Sequence, residues 1–360
     1  MTVYLVTGGA GFIGSNFINY IIEKYNDIFI INLDKLTYAG NLNNLKHIEK
    51  SEKYTFVKGD IRDIALTRFL FDKYPIDYVI NFAAESHVDR SIENPMEFIK
   101  TNIEGTFALL EAAKEAWLDG ETWREGKKFL QVSTDEVYGS LGEMGYFTEE
   151  TPLDPRSPYS ASKASADMLA KSYYDTYKMP INITRCSNNY GSYQFPEKLI
   201  PLIVNNCLSG KELPVYGDGK NIRDWIYVED HSHAIDLVIN KGQVGQVYNI
   251  GGGNERANID IVKTIIDMVK NILPEDDMRK NSISEHQIKY VKDRKGHDRR
   301  YAIDATKIRD ELGWETKTSF DEGILKTVKW YLENNKWLEE ITSGAYEEYY
   351  RKMYLDRERG

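Results

Sequence analysis

The sequence predicts an α/β fold: a doubly wound parallel sheet with helices on both faces, joined to a smaller mixed α/β domain. Three observations predict it. Short apolar runs rich in Val and Ile alternate with segments of helical spacing through the first half, which is the pattern of βαβ units. A glycine-rich turn joins the first such run to the first helical segment. After about Tyr190 the alternation gives way to Tyr, Pro and Gly, as in GSYQFPEKLIP and LPVYGDGKNIRDW.

The elements follow in order. VYLVT is a short apolar strand, and FIGSNFINYIIEKY is helical, with Phe17, Ile18, Ile21 and Ile22 on one side. IFIINLD and YTFVKGD are the second and third strands, and DIALTRFLFDKY is the helix after them. DYVINFAAE is the fourth strand, followed by one long helix from about Met96 to Trp117. KFLQVST is the fifth strand, SASKASADMLAKSYYDTYK a helix and INITRCSNN the sixth strand. Strands this apolar are expected to be buried on both faces. The helix VEDHSHAIDLVIN has the apolar spacing of a sheet-covering helix, so the chain is expected to return to its first domain there. The expected division is residues 1–187 plus about 222–250 for a first domain. A second takes about 188–221 plus 251–345, and a tail, 346–360, carries no signal.

Composition narrows the function. Of 360 residues, 41% are hydrophobic and 28% charged, which suits a globular protein with a sizeable core. The net charge of −10 disfavours a nucleic-acid binder. Two cysteines, Cys186 and Cys207, are too few for a disulfide framework. The N-terminal run lacks a basic start and is broken by glycines, unlike a signal peptide, and no stretch is apolar enough to cross a membrane. A cytoplasmic protein acting on a small molecule is expected.

TGGAGFIG sits between the first strand and the first helix. Gly8, Gly11 and Gly14 permit a tight turn and close approach of a pyrophosphate to the backbone, and the helix N-terminus supplies N–H groups and a favourable dipole. Asp34 ends the second strand, where an acid binds the ribose hydroxyls and disfavours a 2′-phosphate, so NAD is expected over NADP. Together these make the sheet Rossmann-type. Asp60 and Ile61 follow the third strand and could cover the adenine. Ala83 and Ala84 close the fourth strand with little bulk beside a cofactor. YSASK sets Tyr159 and Lys163 four residues apart at the start of a helix, on one face. A tyrosine needs a positive neighbour to act as a base near neutrality, and Lys163 and an oxidised nicotinamide are candidates.

TGGAGFIG, YSASK and their spacing resemble the extended short-chain dehydrogenase/reductase family. LDKLTYAGN, AAESHVDRSI, STDEVYG, SNNYGSYQFPEKLIP, IRDWIYVEDH, YNIGGGNE and GHDRRYAID narrow the resemblance to its nucleotide-sugar 4,6-dehydratases, from about Thr2 to Tyr346. The resemblance implies a tightly bound, recycled NAD, a nucleotide-sugar substrate and a homodimer paired through helices. It adds Phe12, Ile13, Lys35, Thr37, Thr101 and Asn189 to the cofactor set. Thymidine as the base rests on the resemblance alone; uridine and cytidine stay open.

STDEVYG carries two acids at the carboxyl end of the fifth strand, where open α/β sheets bind ligands. The residues show two acids and no more. The resemblance implies that Thr134 polarises the sugar and Tyr159, with Lys163, takes the 4-hydroxyl proton. It makes Glu136 the base at C5 and Asp135 the acid that releases the 6-hydroxyl as water. Crowded carboxyls tend to keep one protonated. On the substrate side it implies Ser86, Asn188, Lys198, Leu199, Tyr216, Arg223, Asn258, His297 and Tyr301 as contacts. KDRKGHDRR, basic in an acidic chain, suits a diphosphate. His47, His231, His233 and His286 have no partner pattern and are expected to be structural or exposed, and no Cys/His spacing suggests a metal. The 19 residues of SLGEMGYFTEETPLDPRSP are expected to form a short lid. Rival readings are an epimerase or decarboxylase on the same fold, which the acid pair disfavours, and an NAD(H)-sensing protein without turnover.

Overall fold

The computed structural model describes residues 1–342 and 345–351; the rest of the tail noted above lies outside the described residues. Its strands are β1 (Thr2–Thr7), β2 (Ile28–Asp34), β3 (Tyr54–Lys58), β4 (Tyr78–Asn81), a two-rung hairpin of β5 (Leu118–Asp119) and β6 (Thr122–Trp123), β7 (Lys128–Thr134) and β8 (Ile181–Cys186). Six more strands follow: β9 (Asn188–Tyr190), β10 (Leu213–Tyr216), β11 (Ile222–Tyr227), β12 (Val247–Ile250), β13 (Glu255–Ala257) and β14 (Ile288–Val291). The large sheet runs β12-β8-β7-β4-β1-β2-β3 with every pairing parallel. The chain winds outward from β1 to β3, then crosses back to β4 and winds the other way. That reversal beside β1 opens a crevice at the carboxyl ends of the strands.

The helices that matter are α1 (Phe12–Lys24), α2 (Ile64–Lys73), α3 (Val88–Glu93), α4 (Pro95–Phe98), α5 (Gly105–Trp117), α6 (Pro158–Tyr177), α7 (Leu199–Leu208), α8 (Val228–Lys241) and α9 (Asn258–Ile272). The period of two along β1 sends alternate side chains to opposite faces. Tyr4 and Val6 join Phe17, Ile18 and Ile21 of α1 and Ile235, Val238 and Ile239 of α8. Val3 and Leu5 join Leu70 of α2, Leu109 and Ala113 of α5, and Ala170 and Tyr173 of α6. Each fully buried Val, Leu, Ile or Phe among them contributes roughly 1.5–3 kcal/mol. A separate core joins α7, α9 and the helix Phe320–Glu333, with Tyr190, Trp225 and Tyr331.

Three local outcomes differ from the sequence reading. The helix expected from Met96 to Trp117 is two helices joined by a π-helical stretch, Ile99–Glu104, whose Thr101 lines the crevice; such insertions recur at functional sites. The expected sixth strand is divided at Ser187, whose N–H bonds the Ile250 carbonyl. There the chain leaves the large sheet, and β9 pairs with β11 instead. The seventh strand, β12, spans four residues before a Gly-Gly-Gly run and gives too little pattern to be recognised. The segment after STDEVYG is braced away from the crevice. Phe147 N–H bonds the Ala302 carbonyl, Leu141 N–H the Arg300 carbonyl, and Arg300 donates to the carbonyls of Gly142 and Gly145. It lines neither of the cavities described next.

Candidate active site

A cavity of about 300 Å³ fills the crevice, and every residue of the expected cofactor set lines it. Its floor is the turn from β1 to α1. Gly8 has φ +68, and a Cβ there would lie 2.7 Å from the Ala83 nitrogen, so the turn closes against the end of β4 only without a side chain. A Cβ on Gly14 would meet the Gly8 carbonyl at 2.4 Å. Gly11 is different: its φ is −78, and a Cβ would touch only the Gly8 carbonyl, at 3.3 Å. The fold does not need glycine there, yet the position caps α1 and faces the cavity, with no side-chain cap and no acid in the first turn. Unpaired first-turn N–H groups beside that open space fit a pyrophosphate. Gly11→Ala should therefore fold with a stability change of only about 1 kcal/mol while weakening NAD binding at least ~10-fold. Calorimetric melting and an NAD titration check both halves, and unchanged NAD affinity would refute the assignment.

Asp34 stands at the end of β2 with both carboxylate oxygens anchored, Oδ2 by Ala10 N–H at 2.9 Å and Oδ1 by Leu36 N–H at 2.8 Å. Burial raises its pKa and these two N–H groups work against the rise. Thr37 lines the same wall. Asp60 receives Lys35 at 3.0 Å and the forked guanidinium of Arg62. Burial would raise Asp60, but the bonds from Arg62 and Lys35 outweigh it and hold the carboxyl at about 2. These residues fit a dinucleotide.

At the other end of the cavity β7 runs into a 3₁₀ turn, Asp135–Tyr138, capped by Thr134, whose Oγ1 accepts Glu136 N–H at 3.3 Å. The same hydroxyl lies 3.2 Å from Asp135 Oδ1 and also bonds the Tyr159 phenol. Asp135 is 2% exposed and its Oδ2 has no hydrogen-bond partner. Burial, then the charges of Glu136 and Asp224, push its pKa well above the carboxylate range. Both effects favour its protonated form. Glu136, half-buried, forms part of the wall of both cavities.

Helix α6 begins with a capping box, Ser157 and Ser160, and with Pro158 at its first turn, which sets Tyr159 and Lys163 on the cavity wall. Burial, then the charge of Glu136, holds the Tyr159 phenol well above its ordinary value. Lys163 aims its ammonium at the Val132 carbonyl, 2.7 Å away, and burial lowers its pKa. Asn189 lines the cavity with its amide already engaged, to the Ser187 carbonyl at 3.0 Å and to His231 Nδ1 at 2.8 Å. His231 is thus a buried brace.

A second cavity of about 150 Å³ shares Glu136, Asn188, Asn189 and Lys198 with the first. Leu199, Tyr216, Arg223, Asn258 and His297 line it, while Ser86 and Thr134 face the first cavity. Lys198 donates to the Ser86 carbonyl at 2.9 Å. His297 is held at about 4 by burial and by Arg294 and Arg223, with its bond to Asp293 opposing, so it is neutral at pH 7. Tyr301 lines neither cavity; its hydroxyl donates to Asp298 at 2.5 Å and its ring lies under the Arg223 guanidinium.

Some wall residues escaped the sequence reading. Glu197 lines both cavities and takes Tyr38 at 2.8 Å and Arg90 at 3.1 Å, which ties the loop after β2 to the loop before α7. Cys186 ends β8 beside Asp135 and Lys163, with burial pushing its thiol up to about 12. Within KDRKGHDRR, Arg294 faces the second cavity with its Nε unpartnered, whereas Arg299 and Arg300 are spent on Asp218 and Glu255. A run of like charges gives no sign of which members face inward. His47 and His286 are exposed. No cluster of potential metal ligands occurs among the described residues, and no helix among them is long and apolar enough to cross a membrane.

The family model described as GDP-mannose 4,6 dehydratase matches residues 5–327. The dTDP-glucose 4,6-dehydratase of Xanthomonas campestris pv. campestris (strain B100) is 54% identical over 347 residues, 96% of this chain and 97% of that protein. The crystal structure of dTDP-glucose 4,6-dehydratase from Bacillus anthracis in complex with NAD is 50% identical. It superposes with a TM-score of 0.84, covering 95% of this chain and 100% of its own. The enzyme of the same description from Streptomyces venezuelae, also with NAD bound, gives 44% identity and a TM-score of 0.86, covering 94% and 100%.

Proposed function

This chain belongs to the dTDP-glucose 4,6-dehydratase family, and from that premise we propose that it converts dTDP-glucose to dTDP-4-keto-6-deoxyglucose and water. The observation that carries the reading is the meeting of Thr134, Asp135, Glu136 and Tyr159 on one wall, with Glu136 facing both cavities. A plain epimerase has no use for a buried acid beside a second carboxyl. The relatives at half identity or more support glucose and thymidine over the GDP-mannose of the family model.

NAD, when bound, would supply the hydride acceptor for C4 and the hydride donor for C6. Gly11 and the first turn of α1 would hold its pyrophosphate, Asp34 and Thr37 its ribose, and Asp60 and Ile61 would flank its adenine. The Tyr38–Glu197–Arg90 tie spans two walls of the cavity, which supports tight retention. Tyr159 takes the 4-hydroxyl proton while Thr134 bonds the same oxygen, and Lys163 orients and favours the phenolate. The 4-ketone makes the C5 proton acidic, and Glu136 removes it. The C6–O bond breaks, and Asp135 gives its proton to the departing oxygen, which leaves as water. Glu136 then hands a proton back to C5, Tyr159 releases the 4-hydroxyl proton to solvent, and solvent reprotonates Asp135. Arg223, Arg294 and Lys198 face the diphosphate across the second cavity, where neutral His297 is a hydrogen-bond partner.

Because oxidation and reduction occur in one round, substrate with deuterium at C4 should yield product with deuterium at C6 of the same molecule. Mixed labelled and unlabelled substrate, read by mass spectrometry, checks this. Crossover of label between molecules, or a stoichiometric demand for NAD, would make the protein an ordinary dehydrogenase.

The active unit is a cytoplasmic homodimer in this proposal. Phe107 on α5 and Met168 and Tyr177 on α6 are 45%, 57% and 44% exposed on helices that pack together, an apolar surface suited to a second copy. Light scattering should give twice the chain mass, and Phe107→Glu with Met168→Glu should give one. A monomeric parent would refute it.

A further inference from the structure

A buried polar bridge that no step above uses joins the turn carrying the two acids to the helix carrying Tyr159. Tyr138 ends the 3₁₀ turn two residues after Glu136 and is 3% exposed. Its hydroxyl donates to Asn249 Oδ1 on β12 at 2.8 Å and accepts from Arg185 Nη1 on β8 at 2.9 Å. Arg185 Nε donates in turn to Asp167 Oδ2 at 2.9 Å. Asp167 is one helical turn beyond Lys163 on α6, so it shares the face of Tyr159 and Lys163. Asn249 is held from the other side, its Nδ2 donating to the Phe147 carbonyl and its N–H to Glu149.

Packing alone does not call for this. A buried ion pair adds little net stability over apolar side chains of the same volume. What it adds is direction: the planar guanidinium meets Asp167 and Tyr138 at fixed angles, which neither Leu nor Lys reproduces. The reaction has a matching need. Tyr159 works at C4, while Glu136 and Asp135 work at C5 and C6, so elimination depends on the spacing between turn and helix. Helix α6 has other anchors, the capping box and the Lys163 bond to Val132. The far end of the turn has Tyr138.

We propose that Tyr138, Arg185 and Asp167 are positioning residues that keep Asp135 and Glu136 in register with Tyr159 while water is eliminated. The proposal rests on the dehydratase reading. Loss of the bridge slows elimination more than oxidation, because it frees the acids and leaves Tyr159 held. A misplacement of about 1 Å can cost ~100-fold in rate.

The test is single-turnover mixing of dTDP-glucose with NAD-loaded parent, Tyr138→Phe and Asp167→Asn, following nicotinamide absorbance and the keto product. Tyr138→Phe should slow product formation at least ~10-fold and the first reduction less than ~3-fold, so that reduced nicotinamide builds up as it does not in the parent. Asp167→Asn, which keeps volume and loses charge, should show the same imbalance. An equal slowing of both steps, no change in a folded variant, or failure of both variants to fold would reduce the bridge to a stabilising contact and overturn the proposal. A parent that forms no keto sugar would overturn the dehydratase reading itself, and the bridge's role with it.

Discussion

Replacing Glu136 with Gln and Asp135 with Asn together should stop the protein after its first chemical step. Both substitutions keep side-chain volume. Asp135 is buried, which favours its uncharged form, and an amide there is uncharged too. The turn retains its Thr134 cap and the Tyr138 hydroxyl bonds, and the fold should survive. Oxidation at C4 needs neither acid, but the ketone then has no base at C5 and no donor at the 6-hydroxyl. General acid–base groups contribute typically ~10²–10⁴-fold each, so elimination should fall by at least ~10³-fold while reduced nicotinamide accumulates on the protein. Stopped-flow absorbance with product analysis reads both. A double variant that dehydrates near the parent rate would show that the acids are not the acid and base. Titration of the parent gives a linked result. The protonated form of Asp135 is the proposed donor and its pKa is raised, so the donor persists above the pH range of an ordinary carboxyl. Elimination weakens only as pH climbs through that raised value.

Tyr159→Phe should remove the first step instead. The phenyl ring keeps its contacts with Val88 and Phe98, and the loss is one hydroxyl and its bond to Thr134. With no group to take the 4-hydroxyl proton, oxidation should fall by ~10²–10⁴-fold, and no reduced nicotinamide should appear. This is the opposite signature to that of the acid variant. The resting phenol is held high by burial and by Glu136, so its ionisation depends on compensating positive charge. Lys163→Ala removes one such charge, and the rising limb of the rate should move to higher pH. A folded Tyr159→Phe that still reduced its nicotinamide would exclude the phenol as the base. An unmoved pH profile in an active Lys163→Ala would exclude the lysine's electrostatic role.

Much of the architecture was legible along the chain, because its signals are local. β1, β2 and β7 are short segments rich in apolar and β-branched residues, and their flanking helices carry apolar residues at helical spacing. β12 was not legible: four residues make a strand only because the edge of β8 is there to receive them. The π-helical stretch at Ile99–Glu104 leaves the apolar spacing readable as one continuous helix. The division at Ser187 is likewise decided by a bond to Ile250, sixty-odd residues away in sequence.

The site divides along the same line. Gly8, Gly11, Gly14, Asp34, Tyr159 and Lys163 could be named from sequence, because a phosphate turn and a helix face are short-range geometries. The sequence by itself determined which chemical groups are available: a dinucleotide turn, a Tyr–Lys pair and two adjacent acids. Only the tertiary structure decided what state and company they keep. Asp135 favours its protonated form because burial and the charge of Glu136 and Asp224 penalise its ionised form. Arg294 faces a cavity while Arg299 and Arg300 are paired elsewhere, and Tyr301 stands behind Arg223 instead of at the wall. The physical reason is range: backbone preference and periodicity act over a few residues, whereas desolvation and charge–charge interaction depend on what the fold brings within a few ångströms from anywhere in the chain.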